Sequence, residues 1–249
     1  MRQLKLVSVN IEYSKHLDRV AAFLSSQRPD VVCLQELREI DIPNIKAAFG
    51  AEHHAFAPVT RQTYEGEEHV VGIGILSCIP IVSSSIFHYT DVTELPASDT
   101  TDPSTYNKKL SPVLFCDFRR EDAAFKIGTA HFTWTPDGST SDEQRRDIKV
   151  LLSILEKLGE FVFTGDLNAP RIYNGKPGEI FSQLAERYKD NIPFQYISSL
   201  DPDLHRAGKL DLMVDGLFTT PGYVADGVEL HTGVSDHCAI TAVIRPVTP

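Results

Sequence analysis

Polar side chains that can hold a cation or move a proton occur repeatedly at, or just past, the ends of apolar segments. They are Asn10, Glu36, His131, Asp166, Asn168, Asp211, Asp236 and His237. Charged groups just beyond buried strands are typical of a site built on a rigid scaffold. Each residue alone also has a structural interpretation, because strand-end Asp and Asn often form turns and a single His in an apolar strand commonly packs in a core. Only the set as a whole predicts chemistry.

The set contains four carboxylates, two Asn and two His. No Ser or Cys stands in a known nucleophile motif. Carboxylate and amide oxygens suit Mg²⁺ or Mn²⁺, which proteins hold with few side chains, water and substrate phosphate. Imidazole and amide groups can hydrogen-bond phosphate oxygens, and a carboxylate can orient and deprotonate water. This combination indicates metal-assisted hydrolysis of a phosphate ester.

Other kinds of active site are not indicated. The sequence lacks a G-x-x-x-x-G-K-[ST] phosphate loop, and Gly233-Val234-Ser235 is not a nucleophile elbow. The acidic segment 201–211 does not fit a calcium loop, because His205 and Arg206 replace the expected ligand and Gly. The four cysteines form no C-x-x-C pair, which disfavours a structural zinc site and indicates reduced, packed thiols.

The elements that must position these groups follow from the hydrophobic periodicity. We expect strands at 4–10, 31–35, 53–58, 70–77, 81–88, 112–118, 124–132, 161–164, 210–218 and 238–244, and helices after Ser14, at 42–49, after Ser141 and at 178–188. Ser141 and Gln144 are spaced as a capping box. The polar stretch 90–111 predicts a long surface loop. Because no linker divides the sequence, residues 1–249 are predicted to form one mixed α/β domain.

The composition is that of a globular protein, with 42% hydrophobic and 23% charged residues among 249. Its formal net charge of −10 disfavours non-specific binding to duplex phosphates or anionic lipid. The N-terminal residues do not resemble a signal peptide, and the apolar run 70–82 is too short to cross a bilayer. We therefore expect a cytoplasmic protein that binds no membrane and acts as a monomer.

Seven short motifs occur in an order that resembles one known family. They are SVN (8–10), LQE (34–36), GIGILSCIPI (72–81), TAH (129–131), GDLNA (165–169), KLDLMV (209–214) and SDH (235–237). This ordered set looks like the endonuclease/exonuclease/phosphatase superfamily, which has the deoxyribonuclease-I-like fold. The resemblance implies an α/β protein with a four-layer α/β/β/α sandwich, in which two packed mixed β-sheets are flanked by helices. It also implies one or two bound cations, Mg²⁺ or Mn²⁺.

The resemblance further implies a metal site. Glu36 resembles the principal metal ligand, Asn10 resembles a residue that helps hold the water shell of the metal, and Asp236 joins it directly or through water. Two positions depart from the family pattern. Cys78 stands where Arg or Lys often follows the strand motif, and Lys209 replaces an Arg. Neither change removes a catalytic group, but both affect what is expected of the substrate contacts.

The catalytic roles are implied in the same way. Asp166 resembles the residue that orients and activates the attacking water. Asn168 and His131 resemble the groups that bond the phosphate oxygens. Asp211 resembles the carboxylate that pairs with His237, and such a pairing favours a charged imidazole that can donate to a phosphoryl transition state.

The expected substrate is a phosphodiester, in a nuclease or phosphodiesterase reaction on nucleic acid or nucleotide. One alternative is a phosphomonoesterase for inositol phosphates or nucleotides. A catalytically silent binding module is disfavoured because Glu36, Asp166 and His237 are all present. Arg171 is a candidate substrate contact. Trp134 could stack on a base or form a wall of the pocket, although it also fits a partly buried loop aromatic.

Overall fold

The protein is described here from a computed structural model, which covers residues 2–64, 66–99 and 101–247. The strands are β1 (Leu4–Asn10), β2 (Val31–Arg38), β3 (His53–Tyr64), β4 (Glu67–Ser77), β5 (Ile81–His88), β6 (Ala97–Ser98), β7 (Pro112–Arg120), β8 (Ala123–His131), β9 (Val162–Asp166), β10 (Ile172–Tyr173), β11 (Lys176–Pro177), β12 (Lys189–Asp190), β13 (Asp215–Thr219), β14 (Tyr223–His231) and β15 (Ala239–Pro246). The helices are α1 (Leu17–Gln27), α2 (Ile42–Phe49), α3 (Asp142–Leu155) and α4 (Glu179–Ala185). Within the described ranges, no helix combines the length and the apolar character needed to cross a membrane.

Two mixed β-sheets form the centre of the molecule. The seven-stranded sheet has the order β14-β15-β1-β2-β4-β3-β6, and the six-stranded sheet has the order β12-β13-β9-β8-β7-β5. Each sheet combines parallel and antiparallel pairs. In the seven-stranded sheet β1 runs parallel to β2 and β3 runs parallel to β6, and in the six-stranded sheet β8 runs parallel to β9. Both predicted mixed sheets are therefore confirmed.

The main core lies between the two sheets. Leu4 and Leu6 of β1 face it from one sheet, while Leu114 of β7 and Ile127 of β8 face it from the other. Side chains alternate along a strand, so the neighbouring residue Val7 points to the opposite face. Each sheet is thus apolar on both sides and must be covered on both.

Helices cover the two outer faces. Val20 and Leu24 of α1 pack on the outside of the seven-stranded sheet. Ile148 and Leu151 of α3, together with Ile180 of α4, pack on the outside of the six-stranded sheet. The layers therefore follow the order α/β/β/α, as the resemblance implies.

Local signals in the sequence account for most of these elements. The capping box at α3 is present: the Ser141 hydroxyl accepts a hydrogen bond from the Gln144 N–H at 3.1 Å, and the Gln144 side chain accepts one from the Ser141 N–H at 3.4 Å. The strand expected at 210–218 is shorter, because regular pairing begins only at Asp215. Strand β14 was not predicted. It lies at a sheet edge with most of its residues partly or fully exposed, so its sequence has no apolar run.

Candidate active site

Three strands of the six-stranded sheet place one polar residue each in a single row. In the parallel pair β8–β9, His131 lies opposite Asp166, and in the antiparallel pair β9–β13, Asp166 lies opposite Asp215. Gly165 makes this row possible. A Cβ atom at Gly165 would lie 2.1 Å from the carbonyl oxygen of Ala130, and its φ of +144° disfavours other residues.

The carboxylate of Asp166 is held at both oxygens. Oδ1 accepts a hydrogen bond from the Asn168 N–H at 2.8 Å, and Oδ2 accepts one from Nδ2 of Asn10 at 3.0 Å. Oδ2 also lies 3.5 Å from Nε2 of His131 and 3.8 Å from Nε2 of His237. Asp166 is 1% exposed, so these contacts fix the direction in which its oxygens face.

His237 pairs with Asp215 and not with Asp211, which corrects the sequence-based assignment. Nδ1 of His237 lies 2.7 Å from Oδ2 of Asp215. Asp211 is exposed in the irregular segment that precedes β13, whereas Asp215 is the first residue of that strand and is buried. The physical reason is that only the residue at the start of the strand lies in the same row as Asp166.

This pairing sets the charge of His237. Burial alone would lower the pKa of the imidazole, but Asp215 and Asp166 outweigh burial and raise the pKa well above its ordinary value. The imidazole is therefore a cation at neutral pH, with Nδ1 bonded to Asp215 and Nε2 directed toward Asp166. A charged imidazole is a strong hydrogen-bond donor to phosphoryl oxygen and cannot act as a metal ligand.

Asn10 connects the two sheets at the site. Its Nδ2 donates to Oε1 of Glu36 at 3.1 Å as well as to Asp166, and its Oδ1 accepts a hydrogen bond from the Glu12 N–H at 3.1 Å. Glu36 lies where β2 departs from regular pairing with β4, at a left-handed φ of 54°. This irregular backbone turns the Glu36 side chain toward Asp166 of the other sheet, where Asn10 keeps the two carboxylates oriented.

The second predicted histidine, His131, is uncharged. Desolvation and the neighbouring Lys109 lower the pKa of His131 to about 3, although Asp166 acts to raise it. His131 is therefore neutral at physiological pH. Lys109 stands in the polar loop 90–111, where a lysine is ordinarily solvated, so its burial in the structure has no signal in the sequence.

These residues surround a cavity of about 510 Å³, which is within the range of small-molecule sites. Its lining includes Glu12, Tyr13, Glu36, Lys109, His131, Trp134, Asp166, Asn168, His205, Leu212, Asp236 and His237. The sequence-predicted catalytic and metal residues thus meet in one place, with the exception of Asp211. Asn10, which is not in the lining, contacts two of them.

Trp134 lies in the wall of the cavity, as the pocket-wall interpretation requires. Its ring meets the ring of Tyr106 edge to face, with centroids 5.1 Å apart. Asn107 holds the Trp134 backbone from both sides: Nδ2 donates to the carbonyl at 3.0 Å, and Oδ1 accepts from the N–H at 3.1 Å. The loop 90–111 therefore fixes the position of this aromatic wall.

Arg171 has a structural environment, which corrects its prediction as a substrate contact. It is buried and does not line the cavity. The guanidinium donates to the carbonyl oxygens of Ile192, at 2.9 Å, and Tyr196, and it lies 3.4 Å from a carboxylate oxygen of Asp190. It also lies over the ring of Phe194, 4.8 Å from the centroid. The charged side chain of Arg171 therefore stabilises the conformation of the segment 190–196.

A profile of the Endonuclease/Exonuclease/phosphatase family matches residues 7–237. The chain belongs to this family. It therefore belongs to the deoxyribonuclease-I-like superfamily that its motifs resemble. Members of the family are generally hydrolases of phosphate esters and generally use divalent metal ions. No curated protein matches the chain.

Solved structures of the family share the fold. An endonuclease/exonuclease/phosphatase from Beutenbergia cavernae DSM 12333 superposes with a TM-score of 0.75 at 18% identity, covering 99% of this chain and 72% of that one. The human Nocturnin catalytic domain with bound sulfate gives 0.72 at 12% identity, covering 99% and 94%. D. rerio TDP2 in complex with a single-strand DNA product gives 0.67 at 14% identity, covering 98% and 100%. At these identities the likeness concerns the fold.

The side chains present fit a divalent cation of the kind the family uses. Desolvation, with the neighbouring carboxylate of Asp236 next in importance, raises the pKa of Glu36 to about 7. Carboxylates that repel one another in this way favour a cation between them, and oxygen donors favour Mg²⁺ or Mn²⁺. Ligand atoms of Glu12, His16 and Asp236 also lie within 4.8 Å of one another beside this group.

Proposed function

We propose that the protein hydrolyses phosphodiesters by attack of an activated water, with Mg²⁺ or Mn²⁺ as cofactor. The observation that carries this proposal is the environment of Asp166. Its Oδ2 faces a neutral His131 and a cationic His237 within 3.8 Å, and Asn10 links it to Glu36. A fixed carboxylate beside a cationic donor supplies both a proton acceptor for water and a stabilising group for the phosphoryl oxygens.

In this proposal Glu36 and Asp236 hold the cation and Asn10 orients Glu36. When bound, the cation neutralises charge on the phosphoryl oxygens. Asp166 orients the water and accepts its proton while the water oxygen bonds to phosphorus. The bond from phosphorus to the leaving ester oxygen breaks, and that oxygen takes up a proton from solvent. The charged His237 donates to a non-bridging phosphoryl oxygen. The position of His237 depends on Asp215.

His131 and Asn168 complete the proposed set. His131 is neutral and can therefore donate one hydrogen bond without adding charge. The Asn168 side chain already donates to the Phe132 carbonyl at 3.0 Å, so one amide N–H remains for a phosphate oxygen. The two residues orient the substrate, while the charged groups stabilise the transition state.

The shape and charge of the molecule favour a compact substrate. The cavity has the size of a small-molecule site and an aromatic wall at Trp134, and the chain carries a net charge of −10. An acidic protein gains little from the many backbone contacts that duplex binding requires. We therefore propose a nucleotide-like phosphodiester or the end of a nucleic acid strand as substrate.

Hydrolysis of bis(p-nitrophenyl) phosphate in the presence of Mg²⁺ tests this function. We expect turnover that is abolished by EDTA and restored by Mg²⁺ or Mn²⁺, and slower turnover of the monoester p-nitrophenyl phosphate. Faster turnover of the monoester would favour a phosphatase. Absence of turnover with these esters, nucleotides, DNA and RNA would overturn the proposal and favour a binding module.

The Mg²⁺ requirement is expected to depend on pH through Glu36. Because the pKa of Glu36 is about 7 in the metal-free protein, protons compete with the cation below pH 7, and the apparent Mg²⁺ affinity should fall by up to about tenfold per pH unit. Above about pH 8 the affinity should level off. Activity measured against Mg²⁺ concentration at pH 6 and pH 8 gives the two midpoints.

The matched control for this prediction is another glutamate on the same segment. Glu36→Gln should raise the Mg²⁺ requirement and remove its dependence on pH, whereas Glu39→Gln, at an exposed position, should behave as wild type. Equal Mg²⁺ midpoints at pH 6 and pH 8 in the wild-type enzyme would contradict the role of Glu36.

A further inference from the structure

Lys109 is a buried cation that has no role in the reaction proposed above. It is 5% exposed, near the end of the loop that precedes β7. Its Nζ donates to the carbonyl oxygen of Phe132 at 2.8 Å and to that of His131 at 3.4 Å. These contacts attach the loop to the end of β8, beside the row that contains His131 and Asp166.

Among the described residues, the ammonium group has one more N–H bond than the acceptors it contacts. It carries three N–H bonds, and two carbonyl oxygens accept from it. In the part of the chain that the structure describes, the contacts of Nζ are with carbonyl oxygens, and it forms no ion pair with a carboxylate within 4.0 Å. A buried cation without a partner is costly, and it is retained most readily where an anion from outside completes its environment.

Lys109 lines the same cavity as Glu36, Asp166 and His237. Desolvation lowers its pKa to about 8, while Asp166 and Glu36 act to raise it, so the group is charged at neutral pH. It thus places positive charge on the side of the cavity where His131 is neutral. The second cation of the site, His237, lies on the other side of Asp166.

We infer that Lys109 is a substrate-binding residue, whose third N–H donates to a non-bridging oxygen of the phosphoryl group under attack. This inference rests on the proposed phosphoesterase function. It differs from a structural role, in which Lys109 would only attach the loop to Phe132. The two roles are separable because a neutral amide can keep the hydrogen bond to a carbonyl but not the charge.

The experiment uses Lys109→Gln, Lys109→Met and the matched control Lys108→Gln, since Lys108 is the exposed neighbour. We expect both Lys109 variants to lose about 100-fold in kcat/KM for bis(p-nitrophenyl) phosphate. Binding of inorganic phosphate, measured by calorimetry with Mg²⁺ present, should weaken at least about tenfold. Lys108→Gln should change neither quantity more than about twofold.

Phosphate binding makes the outcomes distinguishable. If the wild type hydrolyses no ester but binds phosphate through Lys109, the proposed function fails, while the phosphate-binding role of Lys109 is supported. If Lys109→Gln keeps wild-type turnover and phosphate affinity, or if the wild type binds no phosphate, the inference is overturned. Should the variants not fold, the ¹⁵Nζ resonance of Lys109 in wild type must shift on phosphate addition while that of Lys108 does not, and an unshifted resonance overturns the inference.

Discussion

Asp166→Asn is expected to lower kcat for phosphodiester hydrolysis by about 10³-fold while leaving the protein folded. Asparagine is nearly the same size and keeps one oxygen to accept from the Asn168 N–H. The other carboxylate oxygen becomes an NH₂ group, which cannot accept a proton from water and meets the donor Nδ2 of Asn10. The loss should therefore appear in the chemical step.

The measurement is single-turnover hydrolysis at saturating Mg²⁺, with urea unfolding as the test of folding. Asp18→Asn is a suitable control, because Asp18 is exposed in the first turn of α1 and does not line the cavity. Wild-type kcat in Asp166→Asn would exclude Asp166 as the proton acceptor. Loss of cooperative unfolding would instead assign it a structural role.

Elements with a local signal could be predicted from the sequence. The capping box of Ser141 and Gln144 defines the start of α3, and apolar runs define the inner strands, because these signals are contained in a few neighbouring residues. Strand β14 shows the limit. Its pairing with β15 and the irregular register between Asp226 and Glu229 depend on a partner strand, so its own sequence does not show the strand.

Local signals and contacts with distant residues also differ in what they reveal about the site. Asp166 stands at the end of a buried strand, so its place beside the other polar strand ends could be predicted from the sequence. Asp211 and Asp215 stand four residues apart in one apolar segment, and only the register with β9 shows that Asp215 lies in the row. The environments of Arg171 and Lys109 are likewise set by distant carbonyl groups, of Ile192 and Phe132. Charge alone could not show that Arg171 bonds to carbonyl groups within the protein while Lys109 lines the cavity.

Asp215→Asn is expected to lower kcat by about 10²- to 10⁴-fold, whereas Asp211→Asn should leave kcat near wild type. The Asp215 carboxylate holds the protonated imidazole of His237 through Nδ1 at 2.7 Å. An amide keeps the shape but lacks the charge, so the pKa of His237 falls under the influence of burial. The neutral imidazole then donates more weakly to the phosphoryl oxygen.

The pH dependence decides between this explanation and a loss of structure. In wild type, the raised pKa of His237 keeps the cation present through neutral pH, so at saturating Mg²⁺ the loss of kcat that is due to His237 should appear only at alkaline pH. In Asp215→Asn the lowered pKa moves that fall to lower pH, and part of the activity should return on acidification. Imidazole ¹⁵N shifts of His237, followed from pH 5 to pH 9 in the metal-free protein, report the same change without turnover. If His237 titrated as in wild type in Asp215→Asn but not in Asp211→Asn, the result would contradict the pairing of His237 with Asp215. It would instead support the pairing with Asp211 that the resemblance implied.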